Sequence, residues 1–204
     1  MSIEIVVADP TVLWYIFNYN RKGGGILADR YNIYGFKGKF PVIPESCTIY
    51  ENVTICGDVH LGENCVILPG SVLRAEHNPI FIGDCTNIQD LCSIHVELGE
   101  KGAVEIGSGV TVGHGAVIHG CRIGNRCIIG MGVVIQDEAV IEDECLIGAG
   151  SVVTPASVIP KGHLAVGVPA KVKRPLNERE IAEIGISVNE YQEYAAEYRK
   201  NNIK

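Results

Sequence analysis

Aliphatic residues return every six positions along most of this chain. Ile43, Ile49, Ile55, Leu61, Ile67 and Leu73 set the beat, and after three extra residues it resumes at Ile82, Ile88 and Ile94. It continues at Ile106, Val112 and Ile118, drops one residue, and runs on through Ile123, Ile129, Ile135, Ile141, Ile147, Val153 and Ile159. Glycine follows the aliphatic residue at Gly62, Gly83, Gly107, Gly113, Gly124, Gly130 and Gly148. Slim side chains sit four places after it at Cys65, Ser71, Cys127, Ala139, Cys145 and Ser151. A hexapeptide period sustained over this length is the signature of a parallel β-helix, in which three hexads make one triangular coil. The aliphatic side chain points inward, the slim one fills the space beside it, and glycine tolerates the corner backbone. Roughly seven coils are predicted between residues 41 and 166.

Both ends depart from the pattern. Pro175 is expected to end the coil, and Asn177 with Glu180 forms a capping-box start for a helical tail rich in Glu, Ala, Tyr and Lys. Gly185 is expected to split that tail into two helices packed on the side of the coil. Residues 1–32 carry no hexads; their TVLWYIFNY patch reads as an added strand or an oligomer contact. The organisation is therefore an N-terminal extension (1–32), a β-helix domain (33–175) and a C-terminal helical segment (176–204).

Composition narrows the class. The 24 glycines are about 12% of the chain against a typical ~7%, as a solenoid with many corners requires. A formal net charge of −7 argues against nucleic acid or an anionic membrane as partner. The eight cysteines form no CxxC pair and are scattered through apolar stretches, which suits reduced core thiols. The longest fully apolar run, Val12–Phe17, is too short to span a bilayer, and no basic-then-apolar signal opens the chain. The expectation is a soluble cytoplasmic protein.

The chemistry lies in the histidines. VGHGAVIHG (112–120) places His114 and His119 five apart, a spacing that shares a face on neither a helix nor a strand. Residues 18 apart stack one coil above another in a β-helix, about 4.8 Å away. His95 and His119 each follow an inward aliphatic residue, Ile94 and Ile118, and lie 24 apart. If ELGEKG (97–102) is a six-residue excursion, these two stack, and His114 belongs to the neighbouring hexad. If ELGEKG is a regular hexad, His95 and His114 stack instead. Either count favours a site shared between subunits. His60 and His163 read as ordinary surface or corner residues.

RAEHNPIFIGDCTNIQDLCSIH (74–95), VTVGHGAVIHGCRIGN (110–125) and GVPAKVKRPL (167–176) together resemble the γ-class carbonic anhydrases, over residues 33–204. The resemblance implies a left-handed β-helix homotrimer with zinc, or alternatively iron or cobalt, at each subunit interface. It implies His95 and His119 as ligands from one chain and His114 from the next, which selects the first count. Three imidazoles leave one position for water, the open arrangement of catalytic zinc. The metal lowers the pKa of that water to about 7, giving a hydroxide that hydrates carbon dioxide to bicarbonate.

Other roles follow from the resemblance alone. It implies that Gln89 orients the hydroxide and that Arg74, with Glu76 two residues on, ties adjacent subunits beside the site. Asp90 falls in the same polar cluster, and Asn189 and Tyr194 match residues lining the site. The family's usual Arg-Gly-Asp or Arg-Ser-Asp is Arg74-Ala75-Glu76 here, and its proton-shuttling Glu is replaced by Leu98. His77 becomes the candidate shuttle, since a pKa near the working pH suits that task; Glu97 and Glu100 compete. Relatives in phenylacetate and carnitine gene clusters add alternatives: metal-dependent acyl-CoA thioester hydrolysis or an accessory role, and a non-catalytic trimeric scaffold.

Overall fold

The computed structural model describes residues 31–202. The expected N-terminal extension, with its TVLWYIFNY patch, lies outside the described residues except for Tyr31 and Asn32. From there the chain winds as a left-handed parallel β-helix of about seven turns with one C-terminal helix. Each hexad delivers a short strand and a turn, and most strands are only two residues long, such as Ile128–Ile129 and Val134–Ile135.

The core is the hexad pattern made solid. Ile55, Leu73, Ile94, Ile118 and Ile135 stand in one parallel register, each fully buried. Ile67, Ile88, Val112, Ile129 and Ile147 form a second such column. Removing each of these side chains from water is worth roughly 1.5–3 kcal/mol. The slim positions pack as expected: Cys65, Cys127 and Cys145 are wholly buried, and all eight cysteines are free thiols. Burial pushes the Cys92 thiol up to about 11 and the Cys121 thiol to about 12, which keeps both unreactive.

Two of the irregularities in the beat are insertions accommodated outside the core. Val53–Leu61 and Val72–Ile82 are long strands that turn a corner together, and their pairing shifts register between Gly57 and Val59. The backbones touch there: a side chain on Gly57, at φ +82°, would place its Cβ 2.1 Å from the Ala75 carbonyl oxygen. ELGEKG is the excursion of the first count, closed by the Glu97 amide donating to the Gly102 carbonyl at 2.8 Å. Ile94 and Ile118, 24 residues apart, therefore pair directly.

At the far end the coil does more than stop. Ala170–Pro175 folds back antiparallel on His163–Gly167, a hairpin that the hexad count did not predict. Gly167, at φ +110°, and Pro169 reverse the chain and end the six-residue beat. The tail is one helix, α1 (Glu178–Asn202), not the two expected. Gly185 sits inside it without interrupting it. Its neighbours Ile184 and Ser187 are held against the β-helix, and packing of this kind outweighs a glycine cost of about 1 kcal/mol.

α1 runs back over the sheet that carries Thr48–Ile49, Val66–Ile67, Asn87–Ile88 and Thr111–Val112. Ser187 Oγ meets Thr111 Oγ1 at 3.0 Å, and further along Tyr198 stacks on Tyr50. Arg199 finally donates to the Ser46 carbonyl at 2.8 Å. No helix among the described residues is long and apolar enough to cross a membrane.

The helix start is the capping box read from the sequence. Asn177 Oδ1 accepts from the Glu180 amide at 3.0 Å, and Glu180 Oε2 accepts from the Asn177 amide at 2.9 Å. Arg174 grips the same carboxylate with two N–H donors, at 2.7 and 2.8 Å. These bonds, Arg174 foremost, pull the Glu180 carboxyl down to about 2 from an ordinary 4.5. Because the folded value is depressed, the cap contributes fully above pH 4.5, fades as pH falls from 4.5 to about 2, and is gone below that. Melting temperatures of the parent and Glu180→Gln should differ at neutral pH and converge over that acid window. A difference unchanged at pH 2 would contradict the assignment.

Candidate functional site

Alternation along a strand turns the residue after each inward aliphatic outward. Ile94 and Ile118 pair across adjacent coils, so His95 and His119 pair beside them, and Arg74 pairs with His95 from the coil before. The rings meet: His95 Nδ1 lies 2.9 Å from His119 Nε2. The opposite nitrogens face carboxylates, His95 Nε2 with Glu76 Oε2 at 3.1 Å and His119 Nδ1 with Asp137 Oδ1 at 2.5 Å.

Glu76 also pairs with Arg74 of its own chain. Burial opposes its charge, but the Arg74 and His95 bonds more than offset this and hold its carboxyl below the usual range. Burial first, and the Arg74 charge second, hold the His95 imidazole below its ordinary value, so it is neutral at neutral pH.

A second group gathers one hexad away, under α1. Gln89 is buried, and its Oε1 accepts the His114 amide hydrogen at 3.2 Å. Asp90 Oδ2 lies 2.7 Å from His114 Nδ1. Below them Gln89 Nε2 makes a long contact of 3.4 Å to Asn87 Oδ1. Asn87 Nδ2 donates to Thr111 Oγ1 at 2.9 Å, and Thr111 meets Ser187 of α1. The helix and His114 are thus joined by an unbroken series of polar contacts.

The structure therefore sorts the expected residues into two sets. Arg74, Glu76, His95 and His119 share one corner of the prism; Gln89, Asp90 and His114 share another. Asp90 does not join the Arg74 cluster within one chain. The reason is the hexad spacing, which sets the two corners a face apart. Among the described residues, the one group of three candidate metal donors within 4.8 Å of one another is Glu97, His119 and Asp137. His114 is in neither that group nor the His95–His119 contact.

The remaining candidates sit at the margins. His77 is exposed at the bend of Val72–Ile82, and Leu98 is exposed in the excursion. Asn189 is exposed on α1. Tyr194, also exposed on α1, meets Tyr191 edge-on. Burial first, and the Asp90 charge second, raise the pKa of Tyr191. Of the other histidines, His60 is held by Asp58 and stacked on Phe81, and His163 is bonded to the Lys161 carbonyl.

Sequence reasoning missed Asp137. It lies one coil on from His119, but the register pairs Ile118 with Ile135, so the stacking count leads to Gln136 and Asp137 sits one residue beyond it. It also missed the Asn87–Thr111–Ser187 series, for which a β-helix count carries no signal.

The known proteins that this chain resembles share the hexapeptide repeat but carry two kinds of name, transferase and carbonic anhydrase. The repeat family described as "Bacterial transferase hexapeptide (six repeats)" matches residues 40–75 and 120–155. A carbonic anhydrase of Geobacillus kaustophilus is 41% identical over 82% of this chain and 91% of its own. Gamma carbonic anhydrase 1, mitochondrial, of Arabidopsis thaliana is 35% identical over 81% of this chain, which spans only 62% of that relative's length. A crystal structure of a hexapeptide transferase family protein from Anaplasma phagocytophilum superposes with a TM-score of 0.78 at 35% identity, covering 82% of this chain and 98% of the other. With its coil, its paired histidines and these relatives, the chain belongs to the γ-class carbonic anhydrase family of hexapeptide-repeat proteins.

Proposed function

We propose that this protein reversibly hydrates carbon dioxide to bicarbonate at a divalent metal centre shared between the subunits of a cytoplasmic homotrimer. His95 and His119 of one subunit and His114 of the next would hold the metal, with zinc the first candidate and iron or cobalt the alternatives. The observation that carries the reading is the His95–His119 contact. With their protons held on the far nitrogens by Glu76 and Asp137, the two ring nitrogens 2.9 Å apart would oppose lone pairs that a shared cation relieves, and imidazole nitrogen is a preferred donor for these metals. A metal so held supplies Lewis acidity that makes a bound water acidic enough to attack carbon dioxide near neutral pH.

The chain's own residues supply the rest. Gln89 has its carbonyl oxygen engaged by the His114 amide, while its NH2 group makes only the long Asn87 contact. That leaves a hydrogen to orient the attacking oxygen. Asp90 holds the His114 ring, and Glu76 holds the His95 ring while Arg74 neutralises it. Arg74 retains guanidinium donors for an adjacent subunit. Asn189 and Tyr194 would line the approach from α1. Hydration of carbon dioxide yields bicarbonate and one proton, and His77 would pass that proton to buffer, with Glu97 and Glu100 as competitors.

A second reading, chemistry on acyl-CoA thioesters, draws support from the transferase description of the repeat family and of the Anaplasma relative. The assay that separates the two is stopped-flow carbon dioxide hydration on protein of measured metal content, run beside hydrolysis of acetyl-CoA. Hydration without thioester turnover supports the first reading; the reverse supports the second.

The shared centre makes its own test. Purified protein should be a trimer with about one metal per chain. His95→Ala and His114→Ala trimers should each be inactive, and mixing the two kinds of subunit should restore part of the activity. A monomer that keeps metal bound to all three histidines would refute this arrangement.

Gln89→Ala should lower kcat/KM by up to ~10²-fold with metal content unchanged, the lower end of what one positioned donor contributes. Loss of metal instead would give Gln89 the structural role of fixing His114.

For the shuttle, His77→Ala should lower kcat at low buffer, recover with added imidazole, and leave kcat/KM nearly constant. Equal rates for the variant and parent at low buffer would pass the role to Glu97.

A further inference from the structure

Asp137 has no part in the resemblance and is placed by the coil alone. It follows Ile135 and Gln136 on the coil after His119, where its carboxylate meets the His119 ring from the side opposite His95. The backbone fixes it on both sides. The Glu138 amide donates to the Gly120 carbonyl at 2.7 Å, and the Ala156 amide donates to the Asp137 carbonyl at 2.9 Å.

Gly120 makes the approach possible. A Cβ there would lie 2.8 Å from Asp137 Oδ1 and 3.1 Å from the Glu97 Cβ, so any side chain directly after His119 would push the carboxylate off the ring. The other nearby acid is not equivalent. Glu97 Oε2 stands 4.0 Å from His119 Nδ1, beyond hydrogen-bond range, and its Oε1 already accepts the Leu98 amide.

We propose that Asp137 is a positioning residue that fixes the His119 tautomer: its carboxylate accepts the Nδ1 proton and so leaves the Nε2 lone pair facing His95. A neutral imidazole carries one proton, and the nitrogen that keeps it is decided by the better acceptor. Asp137 holds it at Nδ1 and turns the unprotonated nitrogen to the place where two rings converge. A carboxylate behind a ligand imidazole also raises its basicity, and losing such a partner typically costs 10–100-fold in metal affinity. Gly120 is the second component, as the notch through which the carboxylate reaches. This inference rests on the metal reading above only for its consequence; the tautomer is a property of the chain itself.

Two measurements test it. In metal-free protein at a pH where the ring is neutral, nitrogen NMR of His119 should show the Nδ1–H form. In Asp137→Asn the preference should weaken or reverse, because the amide is a poorer acceptor. An Nε2–H ring in the parent overturns the proposal whatever the metal result. Zinc affinity, measured by competition with a chromophoric chelator, should fall ~10–100-fold in Asp137→Asn. It should recover in part in Asp137→Glu and fall in Gly120→Ala, with the metal-free proteins still folded by circular dichroism. Parent-like affinity in Asp137→Asn overturns the positioning role alone. A parent with no zinc affinity removes the metal reading but leaves the tautomer to the NMR. Zinc lost in Glu97→Gln yet retained in His95→Ala would place the ion among Glu97, His119 Nδ1 and Asp137, and would overturn the assignment.

Discussion

Register between coils is the constraint on which the rest of this molecule depends. Each coil adds an aliphatic side chain directly over the one before, at a strand spacing of about 4.8 Å, and a slip of one residue would turn a whole column outward. Pairing of Ile94 with Ile118 therefore fixes the neighbouring residues as firmly as the core itself. His95 and His119 inherit their contact from that packing, and so do Arg74 above them and Asp137 beyond. The site's side chains stand on rigid elements, and the irregular sequence is expelled to the bend near Gly57 and to the ELGEKG excursion.

Carboxylates are distributed in step with the imidazoles. Glu76, Asp90 and Asp137 each meet one ring of the three candidate ligands. A carboxylate that accepts the proton of one ring nitrogen leaves the other nitrogen available as a ligand. It also contributes to the negative balance of the chain. Under the proposed hydration, an uncharged substrate such as carbon dioxide would gain nothing from a positively charged funnel and would not be repelled by these carboxylates.

The fold was legible because its signal is periodic and long. Hexads predicted the coils, the inward columns and the buried thiols, and Asn177 with Glu180 announced the start of α1. The histidines were harder: two counts of the excursion were possible from spacing alone, and the resemblance was needed to choose the one that the coil adopts. What failed was local. Gly185 is a poor helix residue by propensity, yet the contacts of Ile184 and Ser187 with the sheet keep the helix whole. The Ala170–Pro175 hairpin escaped because nothing in a six-residue beat says how the last coil is closed. Asp137 escaped because the register sets Gln136, not the acid after it, opposite His119, so that no count of coils points to Asp137.

The path of α1 alters how such a coil comes apart. Solenoids have contacts only between neighbouring turns, so their ends ordinarily peel away independently of the middle. Here the last element of the chain reaches back past several turns, from Thr111 under Ser187 to Ser46 under Arg199, spanning 153 residues of sequence. The first coils are therefore covered by a segment that follows them far along the sequence, and until it docks their sheet face is bare. A linear stack is thereby tied into a loop, and melting of the opening turns and detachment of the tail become one event instead of two.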